Sequence, residues 1–166
     1  MPTANDILVA SLASSQKLLN RYTADFGERE WLHRPCAGGN TAAWIVGHLV
    51  DVERRILGKV GVRPEQLPAI PDGFERRFAR DEEAPKANEY GDVSILIPLF
   101  NAHRQLLIDT VRNLPPAAFD QPAEKPNPVM GSTFGEQVNF LGGVHVAMHA
   151  GQITIIRRSM GKPPLS

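Results

Sequence analysis

The chain has 166 residues, 42% of them hydrophobic, which is enough apolar material for the core of one domain. Its 18 lysines and arginines balance 18 aspartates and glutamates, so no net charge attracts nucleic acid or an anionic membrane. The single cysteine excludes an internal disulfide and fits a reducing compartment. We therefore expect one domain over residues 1–166 that binds neither nucleic acid nor membranes.

The amino-terminal residues carry no basic segment followed by an apolar stretch, as a secretory signal would. No run approaches the roughly 18 consecutive apolar residues that a membrane-spanning helix needs. The sequence therefore predicts a soluble, cytoplasmic protein.

Two helices are predicted in the first 60 residues, because apolar side chains recur there at helical spacing. The first covers residues 5–22. The second covers residues 41–59, and Asn40 or Thr41 supplies a side-chain oxygen to cap its first turn. Its broad apolar stripe contains Trp44, Ile45, His48, Leu49, Val52, Ile56 and Leu57.

A long connection without regular structure is predicted over residues 62–91, since prolines and glycines there interrupt any regular spacing of apolar residues. Phe74 and Phe78 are placed to anchor this connection on the core. In a helical bundle, a connection of this length allows two consecutive helices to run parallel.

A third helix is predicted over residues 92–113, and a fourth from Thr133 to about residue 160. Thr133 and Glu136 have the spacing of a capping box, in which each side chain accepts a hydrogen bond from a free backbone N–H of the other. Four amphipathic segments without an alternating apolar run predict an all-α fold, a four-helix bundle with its long crossover between the second and third helices.

His145 and His149 lie four residues apart in the fourth predicted helix, so their imidazoles share one face, one turn apart. That face is otherwise apolar, which points both rings into the interior. Buried imidazoles cost free energy unless their nitrogens are satisfied, and a divalent metal ion satisfies one nitrogen of each ring.

His48 adds a third imidazole on the buried stripe of the second helix. Three histidines from two packed helices resemble the metal sites that bundle cores hold. The alternative is a set of core histidines bonded to the backbone or to one another.

Val146 and Ala147 separate the histidine pair, so it lacks the glutamate of the His-Glu-x-x-His protease motif. Three neutral nitrogen ligands leave coordination positions open for water or substrate, which favours a working site over a structural one. Imidazole suits zinc, nickel, iron and copper alike. Gln152, one turn beyond His149, is placed to hold a ligand or a bound water by a hydrogen bond.

Other polar residues give weaker signals. Asp51 is placed to accept a ring N–H, although a solvated carboxylate is the commoner case. His103 is expected to face solvent, because its sequence neighbours are polar. His33 and Cys36 are expected in a loop without a specific role, and the Gly142-Gly143 pair predicts close backbone packing beside the histidines.

These motifs resemble the DinB-like superfamily, also described as DinB/YfiT-like metalloenzymes. The resemblance rests on NTAAWIVGHL at residues 40–49, on HVAMHAGQI at residues 145–153 and on RRSMG at residues 157–161. It extends over the four predicted helices and the long connection.

The resemblance implies a bundle of up-down-down-up connectivity that commonly forms homodimers. It also implies a divalent metal, such as zinc, nickel or iron, on His48, His145 and His149. Characterised relatives include transferases and isomerases that use bacillithiol, mycothiol or glutathione, in which the metal activates the thiol.

Three functional hypotheses follow. The first is a metal-dependent thiol S-transferase that acts on a small-molecule substrate. The second is a metal-binding stress or accessory protein without turnover. The third is a metal-assisted hydrolase, in which the open coordination position holds hydroxide.

Overall fold

The computed structural model describes residues 1–79 and 85–164, and these are mostly helical. The described helices are α1 (Ala4–Thr23), α2 (Glu28–Leu32), α3 (Ala42–Lys59), α4 (Phe74–Arg77), α5 (Leu96–Asn113), α6 (Phe134–Asn139) and α7 (His145–Ser159). A single π-helical turn, Phe140–Val144, joins α6 to α7, and we call it the π-turn. The four predicted helices correspond to α1, α3, α5 and the continuous segment from α6 to α7.

The long helices enclose the core. Helix α1 packs against α5 and α7, and α3 packs against the same two helices. Each long helix turns an apolar row inward, as the helical periodicity of the sequence predicts. These contacts agree with the all-α prediction, and the up-down-down-up order of the helices stays a prediction.

Local sequence signals fix where two of the long helices begin. The Thr41 hydroxyl accepts a hydrogen bond from the backbone N–H of Trp44 at 3.0 Å, which caps α3. Thr133 and Glu136 form the predicted capping box, with hydrogen bonds of 3.2 and 2.9 Å to each other's backbone N–H. Both N-terminal predictions are confirmed to within one residue.

The connection between α3 and α5 has more structure than the sequence predicts. It contains α4 and short 3-10 turns, and residues 80–84 of the predicted connection lie outside the described part of the chain. Phe74 and Phe78 are both fully buried and contact each other, with ring centroids 4.6 Å apart. Their role as anchors is confirmed, and the burial of these rings explains why a proline-rich segment keeps a defined path.

Two small elements were not predicted. Helix α2 carries the buried Trp31, and an antiparallel hairpin joins β1 (Pro122–Asn127) to β2 (Gly131–Thr133). The hairpin is not predicted because β1 includes two prolines and buries only Ala123, so it has no alternating apolar pattern.

Among the described residues, no helix has the length and apolar content that crossing a bilayer requires.

Substitution of Gly47 by alanine is expected to destabilise the fold by about 1–3 kcal/mol, because of overpacking. A Cβ atom at Gly47 would lie 2.3 Å from Cδ1 of the buried Phe78 ring. The control is Gly58→Ala on the same helix, where a Cβ meets nothing within 4 Å. That control is expected to gain roughly 0.5–1 kcal/mol. Urea unfolding of both variants checks the prediction, and equal stabilities would contradict it.

Candidate metal centre

Helix α3 holds His48 in the core, where the side chain is 8% exposed. The indole of Trp44, one turn earlier, stacks on the His48 imidazole with ring centroids 4.9 Å apart and planes 6° apart. Because the N-cap at Thr41 fixes the turn that carries Trp44, the start of α3 sets the position of this stacked pair. From the sequence, Trp44 is predicted only as a core residue. Its spacing of four residues from His48 is the signal that could have predicted the stacking of the two rings.

Helix α7 brings the other two imidazoles together at its beginning. The Nε2 atoms of His145 and His149 are 3.1 Å apart, and the two ring centroids are 4.5 Å apart. His149 is buried, whereas His145 is partly exposed. The predicted inward orientation therefore describes His149 fully and His145 only in part.

The three histidines form one cluster. The His48 ring centroid lies 5.5 Å from that of His145 and 5.4 Å from that of His149. One ring nitrogen from each histidine lies within 4.8 Å of the other two. The structure thus brings the predicted ligands together, and their binding of an ion stays a prediction.

Gln152 fixes the tautomer of His149. Its Oε1 atom accepts a hydrogen bond from the Nδ1–H of His149 at 2.9 Å, which leaves the lone pair on Nε2. That Nε2 atom faces His145. Burial lowers the pKa of His149, while the Gln152 contact raises it, so the neutral form that a metal requires is favoured.

The residues present fit a divalent cation. Neutral imidazoles donate to zinc, nickel and iron, and a carbonyl oxygen on the second nitrogen is the usual support for a ligand histidine. Among the described residues, the cluster comprises three histidines, which is the ligand number of catalytic sites that keep a position open. The partial exposure of His145 makes the cluster reachable from solvent.

His103 was predicted to face solvent, and this prediction is wrong, because the side chain is 0% exposed. Its Nδ1–H donates to the Leu99 carbonyl at 2.7 Å, and its Nε2 accepts from Arg54 Nη1 at 3.2 Å. The polar sequence neighbours were misleading because α5 buries Phe100 and Leu107, which lie on the same helical face as His103.

Asp51 is also buried, at 4% exposure, contrary to the commoner case of a solvated carboxylate. Arg55 forms an ion pair with it at 2.7 Å. Burial raises the pKa of Asp51, and Arg55 opposes that shift.

His33 and Cys36 lie in the segment that follows α2, and His33 contacts the last residue of α7, at the end opposite to the histidine pair. The Nε2 atom of His33 is 2.9 Å from the Ser159 hydroxyl, and Cys36 is exposed. The structure thus places both residues outside the histidine cluster.

Comparison with protein families relates this chain to the DinB superfamily. The family model of the DinB superfamily matches residues 11–153, which include all three histidines and Gln152. The comparison with curated proteins returned no match, and neither did the comparison with solved structures.

The stability of the protein is expected to fall as pH drops below 6.5, partly because of His103. Burial lowers the pKa of His103 from its ordinary 6.5, the hydrogen bond to the Leu99 carbonyl opposes part of that shift, and the nearby Arg54 lowers the pKa further. The folded state therefore binds fewer protons than the unfolded state, so this contribution is complete above pH 6.5 and is lost as the pH falls. Urea unfolding at pH 7.5 and pH 5 should show a weaker pH dependence for His103→Gln than for the wild type.

Val111→Ala is the control for this measurement, since it opens a cavity in α5 without removing a titrating group. Its pH dependence should equal that of the wild type. Equal slopes for all three proteins would contradict the role assigned to His103.

Proposed function

The chain belongs to the DinB superfamily, and we propose that it is a metalloenzyme that binds one divalent cation on His48, His145 and His149. The observation that carries this proposal is the convergence of three imidazole nitrogens within 4.8 Å of one another.

We further propose that residues 1–166 form one four-helix bundle domain with up-down-down-up connectivity. The helix contacts described above support it.

The proposed reaction is transfer of a low-molecular-weight thiol to a small electrophilic substrate. A divalent cation in this site would lower the pKa of a coordinated thiol and so supply a nucleophile at neutral pH. In the transfer, the sulfur bonds to the electrophilic atom, the thiol proton passes to solvent and the leaving group departs with its electron pair. The resemblance to thiol-dependent relatives supports this choice of substrate.

Two other side chains orient the histidine rings, and one of them also offers a hydrogen-bond donor. Gln152 keeps the Nε2 lone pair of His149 aimed at His145, and Trp44 holds the plane of the His48 ring by stacking. The indole N–H of Trp44 is buried without an acceptor among the described residues, so it is available to a bound substrate or water.

Purified wild-type protein is expected to bind about one divalent ion per chain after reconstitution. His145→Ala should lose most of that ion, because it removes one of three ligands. The matched control is His33→Ala, which deletes a histidine outside the cluster and should keep full occupancy. Elemental analysis measures all three proteins, and equal, negligible occupancy in each would reject the site.

Conjugation of the model electrophile 1-chloro-2,4-dinitrobenzene should require both the loaded metal and a thiol. Bacillithiol, mycothiol and glutathione are tested separately by absorbance, and His145→Ala should reduce the rate to background. No metal-dependent rate with any of the three thiols would contradict the transfer reaction. Metal-dependent hydrolysis of an ester without thiol would instead support the hydrolase hypothesis.

We also propose that the protein forms a homodimer through α7. Met148 and Ile155 of α7 share one face with Val144, the last residue of the π-turn, and the three side chains are 57%, 56% and 44% exposed. Sedimentation velocity should show a dimer that Met148→Lys dissociates. Val129→Lys alters an equally apolar, 72% exposed position in the hairpin and should leave the dimer intact. A monomeric wild type would contradict this proposal.

A further inference from the structure

Arg104 and Glu53 form an ion pair that is completely buried between α5 and α3. Arg104 Nη2 donates to Glu53 Oε1 at 2.6 Å, and both side chains are 0% exposed. Burial raises the pKa of Glu53, and Arg104 opposes that shift. Removing two charges from water costs several kcal/mol per ion. Apolar residues of similar volume often stabilise a fold at least as much as a buried ion pair does. Stability alone therefore does not account for this pair.

The second guanidinium nitrogen of Arg104 connects α1 to the π-turn. Nη1 donates to the Leu12 carbonyl at 3.0 Å, to the Ser15 hydroxyl at 3.1 Å and to the Gly142 carbonyl at 2.7 Å. The Ser15 hydroxyl also contacts the Gly142 carbonyl, at 3.0 Å. One guanidinium thus joins four segments of the chain, and its shortest Nη1 contact is with the π-turn.

The π-turn leads directly into His145, a member of the histidine cluster. The backbone N–H of His145 donates to the Phe140 carbonyl, five residues earlier, instead of to a carbonyl four residues earlier. Relative to a regular helix, the extra residue rotates everything after it by about 100° with respect to α6. The π-turn therefore decides the direction in which His145 and His149 leave the helix.

Glycines allow α1 to approach the π-turn closely. A Cβ atom at Gly142 would lie 2.4 Å from Leu12 Cδ2, and one at Gly143 would lie 2.4 Å from Ser11 Oγ. This confirms the close packing that the Gly142-Gly143 pair predicts. It also explains how α1 comes near enough for Ser15 to share the carbonyl that Arg104 binds.

We infer that Arg104, held in place by Glu53, is a positioning residue that fixes the π-turn and thereby directs His145 and His149 toward His48. Its consequence for metal binding rests on the proposed function. Arg104 is separated from the imidazoles by the π-turn, so it acts through the backbone and not by contact with substrate.

The test variant is Glu53→Leu/Arg104→Met, which removes both charges together and so leaves no unpaired buried charge. The single variant Arg104→Met would leave Glu53 buried without its partner and is expected to fold poorly. Val111→Ala, two turns along α5 and equally buried, is the control for a general loss of core packing. Circular dichroism confirms that each protein is folded.

The first readout needs no metal. Amide hydrogen exchange at residues 140–149 should be at least about 10-fold faster in the double variant than in Val111→Ala, because the Gly142 carbonyl has lost its strongest donor. Exchange in α3 should differ much less between the two variants. Equal exchange at residues 140–149 would overturn the inference.

The second readout is cobalt(II) titration with its visible absorption bands, which report ligand geometry. The double variant should bind cobalt(II) about 10- to 100-fold more weakly, with altered bands. Unchanged affinity and bands would overturn the positioning role. If the wild type binds no cobalt(II), the proposed function is wrong, and hydrogen exchange still decides whether Arg104 holds the π-turn.

Discussion

The candidate metal site depends on burial in the helical core, which favours the neutral imidazole of His149. His149 is enclosed by the helical core, and this burial disfavours the charged ring. A neutral imidazole has one lone pair to donate, and the Gln152 carbonyl decides which nitrogen carries it. Burial thus produces the chemical state that a metal ligand needs, and the shape of the core determines where the lone pairs meet.

Helices α3 and α7 orient their histidines through different contacts. On α3, the stacked indole of Trp44, one turn before His48, orients the ring, and the N-cap at Thr41 fixes the turn that carries this indole. On α7, the ring directions depend on the π-turn, whose carbonyl at Gly142 is bound by side chains of α1 and α5. The arrangement of the site therefore depends on helices that contribute no ligand to it.

The sequence predicted the features that have a local signature. The helical spacing of apolar residues located the long helices, and the capping box at Thr133 located the beginning of α6. The i, i+4 spacing of His145 and His149 predicted a pair on one face. The burial of His103 and the pairing of Arg104 with Glu53 were missed, because those partners are 49 to 51 residues apart in the chain. The π-turn was missed because two glycines indicate close packing without indicating an altered hydrogen-bond register.

Anomalous X-ray diffraction at the absorption edge of the bound metal tests the central claim most directly. In zinc-loaded crystals, the account predicts one anomalous peak bonded to one ring nitrogen from each of His48, His145 and His149, with Zn–N distances of about 2.0–2.1 Å. A peak at any other position, or a metal bound to fewer than three of these rings, would contradict it.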